Sequence, residues 1–438
     1  MKGKVISLKI ISCVFLALSL LIADLAKAET QIRIIAEKKG FPIAVPDLCD
    51  LGKGGEFHKE IAQLLIKNIT LTGLFRVPDT SKVKSGCTGE LLSDMGVWSG
   101  SGAEAVVRGS TKAGGFEGQR LVVELYLYDL AKKKAVIGKS YDVGEIEAAD
   151  VALKFSNEII KYFTGQQGLF DSQIVFAGGT KEASRELYLL DLNGQKLTQL
   201  TKDGGIVSSP AWSPKGDQVV YSLTKDGNTD LFILSPSKKI PRQLTVMMGE
   251  ERYPNFSPDG NSILSTAFVS GKASIVLFNL RGRLLKNLTP YTMSDVSASY
   301  SPDGKQIAFC SDQEGKRQIY VMKAEGGAAK KISYAKLDQC HSPNWSSRGD
   351  WVAFVCETPA GGAIYAANPT GSDVIQLTFG GDNKDPSWSA DGNMLVYVAK
   401  DSETNGRKQL AIYSLLSGKS EMLDTGLVEI AGPAWSPQ

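Results

Sequence analysis

Three carboxylates recur at matched places in the second half of this 438-residue chain: Asp259, Asp303 and Asp391 each stand directly before a glycine. Paired carboxylates are the raw material of general acid–base chemistry. Their setting argues for another role. The equivalent positions in two other units hold Lys215 and Arg348, and no catalytic acid survives exchange for a cation. Aspartate before glycine is a turn signature, because the carboxylate bonds its own backbone and glycine accepts a positive φ. A nucleophilic triad of a serine-hydrolase propeller finds no better support. His341 is the single histidine of this half, no Gly-x-Ser-x-Gly motif occurs, and no hydrolase domain follows the last unit. Six cysteines and two histidines are scattered without Cys-x-x-Cys spacing, which leaves no zinc set of four clustered ligands. Asp295 or Asp385 could lend oxygens to a cation, and a concave mouth beside them could hold a saccharide. No cofactor or metal is expected, and the chain reads as a binding protein rather than an enzyme.

These residues are positioned by a repeat. The phrase Ser209-Pro210-Ala211-Trp212-Ser213-Pro214 returns as Tyr253-Pro254-Asn255-Phe256-Ser257-Pro258, then as Ser299-Tyr300-Ser301-Pro302. It returns again as Pro343-Asn344-Trp345-Ser346, Pro386-Ser387-Trp388-Ser389 and Pro433-Ala434-Trp435-Ser436-Pro437. The aromatic falls at 212, 256, 300, 345, 388 and 435, intervals of 44, 44, 45, 43 and 47. A period in the forties is that of a four-stranded propeller blade. After each aromatic strand come a tight turn, an alternating apolar strand, a third strand, and a fourth ending in phrases such as Leu244-Thr245 and Leu377-Thr378. Residues 173–201 carry the second, third and fourth strand phrases without the aromatic one, and 432–438 carry only the aromatic one. One blade is therefore expected to be split and closed by the chain's last residues, giving a six-bladed β-propeller without an open edge. The repeated aromatics are expected to pack blade on blade.

Residues 29–165 follow another pattern. Segments 31–36 and 43–45 read as strands, and 56–71 sets Phe57, Ile61, Leu64, Leu65 and Ile69 at helical spacing. Strands over 105–108, 121–130 and 135–142 precede an amphipathic helix over 146–163. The fold class is therefore mainly β with a smaller two-layer α/β domain. A short hinge over 165–168 leads into the propeller, 169–438. At the start, Lys2, Lys4 and Lys9 precede the apolar run 10–22, and Ala26-Lys27-Ala28 is a small-x-small site. That order is a secretory signal peptide, 1–28, cut between Ala28 and Glu29. The whole chain carries 49 − 47 = +2, and the signal's four lysines and one aspartate account for +3, so the exported part is near −1. It has no basic stripe, so a nucleic-acid partner is not expected. No second apolar segment reaches spanning length, and a soluble monomer is expected.

Over the exported chain these features resemble the TolB family, periplasmic components of the Tol–Pal system. The likeness runs through Gln31-Ile32-Arg33-Ile34-Ile35, Phe41-Pro42-Ile43-Ala44-Val45 and Gly102-Ala103-Glu104-Ala105-Val106-Val107-Arg108-Gly109, and then through the six blade phrases. The resemblance implies a periplasmic adaptor that docks a peptidoglycan-associated lipoprotein (Pal) on one propeller face. It implies that an N-terminal tail, here Glu29, Thr30, Gln31, Ile32, Arg33, Ile34 and Ile35, engages a TolA-type inner-membrane protein. Maintenance of the outer membrane and its constriction during cell division are the implied roles. The tail's alternation suits strand addition to a partner sheet, or equally the first strand of its own domain.

Chain direction selects the docking face. The connections from each fourth strand to the next innermost strand, 203–208, 247–253, 291–297, 334–341, 379–385 and 425–431, are expected to emerge on one side around the channel. Glu250, Glu251, Arg252, Tyr253, Asp295, Val296, His341 and Asp385 lie just before the aromatic phrase and are the expected Pal-type contacts. Met247 and Met248 stand beside them in a mixture that suits a protein interface. Export permits disulfides. If Trp345 pairs with Val352, Cys340 falls opposite Cys356 or Glu357, so a Cys340–Cys356 bridge is expected, with Cys310 free. A second bridge is expected between Cys49 and Cys87.

Overall fold

The computed structural model describes residues 40–437, apart from 53–55, 82, 84–90, 115–119, 144–147, 182–183, 193, 195, 247–248, 335 and 401–405. The signal segment with Ala28, the tail 29–35, Cys87 and the pair Met247 and Met248 lie outside the described residues. The chain divides into two compact units between Phe170 and Asp171.

In the first unit, β1 (Phe41–Ala44) lies between β3 (Phe75–Arg76) and β4 (Ala105–Gly114), parallel to both. The short β2 (Cys49–Asp50) also pairs with β4, and β5 (Arg120–Asp129) and β6 (Lys134–Val143) continue the sheet antiparallel. In β5, Leu121, Val123, Leu125 and Leu127 are buried while the residues between them are not, the period-two signature of a sheet covered on one face. Helix α1 (Phe57–Leu71) buries Ile61, Leu65 and Ile69. It meets α3 (Ala148–Thr164) at a buried bond from Asn68 to the Ser156 hydroxyl, 3.3 Å. Helix α2 (Leu91–Gly100) was not legible beforehand, because Ser93, Gly96 and Ser99 are poor helix formers. Its Trp98 is buried against Ala44 and Val106.

The second unit is a propeller of six four-stranded blades. Blade 1 joins Gln173–Lys181, Ser184–Asp191 and Leu197–Gln199 to the last strand of the chain, Glu429–Trp435. That strand runs antiparallel to the first, with Trp435 opposite Ile174 and Ala434 opposite Val175. Gln173 and Ser436 exchange two further bonds of 2.8 and 2.9 Å. The chain end thus covers the edge that would otherwise be open.

The repeated residues act as the period demands. Trp345 packs into the preceding blade's Ala308, Cys310 and Ile319, and Trp388 does the same against Ala353 and Val355. The residue before the aromatic straps neighbouring blades together. Asn255, Ser299, Asn344 and Ser387 accept the amide protons of Tyr300, Trp345, Trp388 and Trp435 at 3.4, 3.1, 3.1 and 3.1 Å. Ala211 and Ala434 have no such side chain; beside Ala434 the Trp212 indole donates to the alanine carbonyl instead, 3.1 Å.

The turn aspartates are structural. Asp259, Asp303 and Asp391 accept the amide protons of Asn261, Lys305 and Asn393 at 3.0, 3.1 and 3.0 Å, and the hydroxyls of Ser257, Ser301 and Ser389. Those hydroxyl bonds hold the Asp259 and Asp303 carboxyls below their ordinary range. Cys340 and Cys356 face each other across two strands and are disulfide-bonded, and buried Cys310 is free. Cys49 is also disulfide-bonded.

Candidate protein-docking site

All six innermost strands carry the same irregularity. They are Ile206–Trp212, Glu250–Phe256, Asp295–Tyr300, Asp338–Trp345, Lys384–Trp388 and Glu429–Trp435. In each, the ladder register slips in the residues just before the aromatic. The residue three before the aromatic adopts a left-handed backbone: Ser209, Tyr253, Ser297, Ser342, Asp385 and Gly432, with φ of 50, 56, 58, 52, 52 and 55°. Five of the six are followed by proline, which has no N–H to give the ladder. A bulge of this kind leaves one residue unpaired and re-aims it. Here six of them converge on a central channel of about 920 Å³.

Five non-glycine residues held in a sparsely populated conformation, with Gly432 as the sixth member, make a strained constellation of the kind found at binding sites. Specific bonds hold it. Asp385 accepts the Gly432 amide at 3.0 Å and the Ser342 hydroxyl at 3.4 Å, tying three blades together. Arg252 donates to Glu250 at 2.9 Å, and the Ser297 amide donates to Thr266 at 3.0 Å. Arg252, Tyr253 and Asp385 line the channel, with Arg185 the other charged group there. Burial pushes the Tyr253 hydroxyl up, so it stays a neutral donor.

The structure corrects part of the expected contact set. Glu250 to Tyr253, Val296, His341 and Asp385 are strand residues rather than loop residues. Glu251 and Asp295, expected at the contact surface, are buried, with relative exposures of 1 and 5%. The reason is the bulge. Counting back by twos from Phe256 places Glu251 outside, but the extra residue between Arg252 and Asn255 inverts the alternation and turns it inward. Glu250, Arg252, Tyr253, Val296, His341 and Asp385 stay at least partly accessible.

A second set of residues lies mostly in the connections expected on this face, although their apolar side chains were not singled out in the sequence. Val246, Met293, Tyr334, Phe379 and Val428 are large, apolar and exposed, Val246 by 84% and Phe379 by 78%. Each lies in a connection entering an innermost strand, on the bulge side. In three blades the signal was present: Val246, Tyr334 and Phe379 directly follow Leu244-Thr245, Ile332-Ser333 and Leu377-Thr378, where a polar turn residue is usual. Exposed apolar groups beside a partly charged mouth offer surface that a protein partner can cover.

His341 has a serine and an acid in reach. Its Nδ1 lies 3.0 Å from the Ser342 hydroxyl and its Nε2 lies 3.3 Å from Glu357. The arrangement is poor for acyl transfer, because the Asp385 carboxylate stands beside the hydroxyl and would repel a developing oxyanion. The left-handed serine is also no elbow of its own, since Ser209 and Ser297 share its φ without a histidine. Among the described residues, no cluster of three or more His, Cys, Asp or Glu side chains is placed to hold a metal. No described helix is long and apolar enough to cross a membrane.

Residues 160–438 match the family model of the TolB beta propeller domain. The chain belongs to the TolB family. Residues 31–136 match the TolB amino-terminal domain. A Tol-Pal system protein TolB from Syntrophotalea carbinolica is 30% identical over 166 residues, 37% of each chain. The one from Polaromonas sp. is 28% identical over 210 residues, 47% of each. The chain spans less than half the length of these curated TolB relatives. Among solved structures, TolB from Acinetobacter baumannii superposes with a TM-score of 0.76 at 23% identity, over 91% of this chain and 97% of that one. A chain of the nidogen/laminin complex reaches 0.51 at 12% identity, covering 60% of this chain and 98% of that one. At these identities both likenesses are of fold alone.

Proposed function

We propose that this chain is a periplasmic, non-enzymatic adaptor of a Tol–Pal system, exported by cleavage between Ala28 and Glu29. Its bulge-lined propeller mouth docks a Pal-type lipoprotein, and its tail, residues 29–35, engages a TolA-type inner-membrane protein. Through these two contacts it serves outer-membrane integrity and constriction at division. The single observation that carries this reading is the ring of left-handed bulges. Six copies of one left-handed backbone, five of them on non-glycine residues, surround one mouth within a crown of exposed apolar side chains. A protein partner is what such a mouth accommodates: a polar knob for the channel and apolar surface for the crown. Glu250, Arg252, Tyr253, Val296, His341 and Asp385 would contact it directly, with Val246, Tyr334 and Phe379 at the periphery.

Titration of the exported chain with the soluble domain of a Pal-type lipoprotein tests the proposal. Saturable one-to-one binding that weakens when Tyr253 or Phe379 is cut to alanine supports it. No binding at protein concentrations of tens of micromolar, with the tail intact and with it deleted, removes it.

A further inference from the structure

The propeller mouth holds hydrogen-bond donors that the ring itself does not use. Of the six left-handed positions, five carry serine, aspartate or glycine, and Tyr253 alone is large. A bulky side chain is uncommon on that backbone. Here it sets the phenol against the channel, 37% exposed. The hydroxyl bonds to no other group among the described residues. Burial pushes it up, and the Arg252 and Arg317 charges act against that push, so the Arg317 guanidinium lies within electrostatic reach of it.

Arg317 sits in the turn between Gln306–Ser311 and Gln318–Lys323, at the bulge end of blade 4. Its carbonyl accepts the Cys340 amide proton at 2.9 Å. Its side chain is exposed and pairs with no carboxylate among the described residues. Arg185 belongs to blade 1, opposite blade 4 in a ring of six. It lines the channel, half-buried, and likewise has no carboxylate partner among the described residues.

The acids of the innermost strands are committed elsewhere. Glu250, Asp338 and Glu429 pair with Arg252, Lys316 and Lys408 at 2.8, 2.9 and 2.7 Å. Glu251 and Asp295 are buried. Both Asp385 oxygens are filled, by the Gly432 amide and the Ser342 hydroxyl, and the neighbouring Lys384 is close enough to feel its charge. A guanidinium presents its N–H donors in a planar fork that matches a carboxylate. At a contact closed to water such a pair is strong, and a guanidinium left without an acceptor there is penalised.

We propose that the mouth selects an acidic partner. The knob that enters it carries carboxylates, which take the free donors of Arg317 and Tyr253 on one side and of Arg185 on the other. This rests on the docking reading given above and adds to it the chemistry of the surface that docks. A basic or wholly apolar knob would strip both guanidiniums of water without replacing it, which discriminates against such partners.

Titration of the whole exported chain with the soluble domain of a Pal-type lipoprotein tests the selection. Arg185→Gln/Arg317→Gln should bind about tenfold or more weakly than the natural chain at ~0.05 M salt. The gap should narrow at ~0.5 M, where screening weakens ion pairs. Arg185→Lys/Arg317→Lys keeps the charge without the fork and should recover only part of the loss. Tyr253→Phe keeps the ring and should lose about threefold or more. Lys215→Gln/Lys238→Gln removes the same charge from exposed turns of blade 2, at the end away from the bulges, and should bind like the natural chain. Undiminished binding by the double arginine-to-glutamine chain, or an equal loss in the lysine control, overturns the proposal and leaves the docking reading standing. Absence of binding by the natural chain itself removes both.

Discussion

The Asp385 carboxylate accepts the Gly432 amide proton at 3.0 Å, across 47 residues of chain, and so joins the sixth blade to the strand that seals the ring. Gly432 itself has little room. A Cβ there would lie 3.2 Å from the Ser209 amide nitrogen, on a backbone already at φ 55°. Closure of the propeller and shape of its mouth are therefore decided by the same few atoms.

Asp385→Ala should destabilise the propeller by about 1 kcal/mol, the usual net loss for one hydrogen bond at a half-buried amide. Asp385→Asn keeps an acceptor and should recover most of that loss. Denaturant melts of the three proteins, at matched slope, check the ordering.

Truncation of the crown should affect binding more than folding. Phe379 and Tyr334 are exposed, so their alanine variants should melt within about 0.5 kcal/mol of the natural chain, as surface changes do. Affinity for a Pal-type domain should fall by about tenfold or more for each, or 1.4 kcal/mol. Calorimetric titration separates this from a general loss of structure.

Reduction should destabilise the fifth blade, whose two innermost strands the bridge joins. The Cys340–Cys356 bridge spans 16 residues, and loss of a loop of that size costs about 3 kcal/mol in the chain-entropy model. Cys310 should behave oppositely. Its thiol is buried, burial pushes it up to about 12, and it donates to the Cys340 carbonyl at 3.2 Å. An alkylating reagent at pH 8 should leave it unlabelled until the propeller unfolds, as mass spectrometry would register.

Two groups of carboxyls should bend the stability curve in opposite directions. Glu251 is raised in the native state to about 7, above its unfolded value near 4.3. The native chain thus holds a proton that the unfolded chain has released, and its stabilising effect fades as pH rises from about 4.5 to 7. Asp259 and Asp303 are lowered, so their contribution is present above the unfolded value and is lost as pH falls below it. Chemical denaturation across pH 3–8 should show a Glu251→Gln chain with a flatter neutral limb and an unchanged acid limb.

The blade count, the split blade and the turn role of Asp259, Asp303 and Asp391 were all legible beforehand. Each depends on residues close in sequence or on a period that repeats. The Cys340–Cys356 pairing was legible only in part: the hairpin turn narrows the partner of Cys340 to Cys356 or Glu357, and the extra residue between His341 and Asn344 brings Cys356 opposite it. The crown was half legible, through Val246, Tyr334 and Phe379 after their Leu-Thr or Ile-Ser phrases.

Which carboxylates reach the mouth was decided only by the tertiary structure. Side chains alternate along a strand, and a single extra residue inverts every position beyond it. Sequence period alone determined the six-bladed ring and how it closes, because each blade buries the same face at the same interval. The bulges, the burial of Glu251 and the bond from Gly432 to Asp385 belong to the assembled ring. They arise where backbones from different blades meet, and no local pattern records which atoms will be left facing one another.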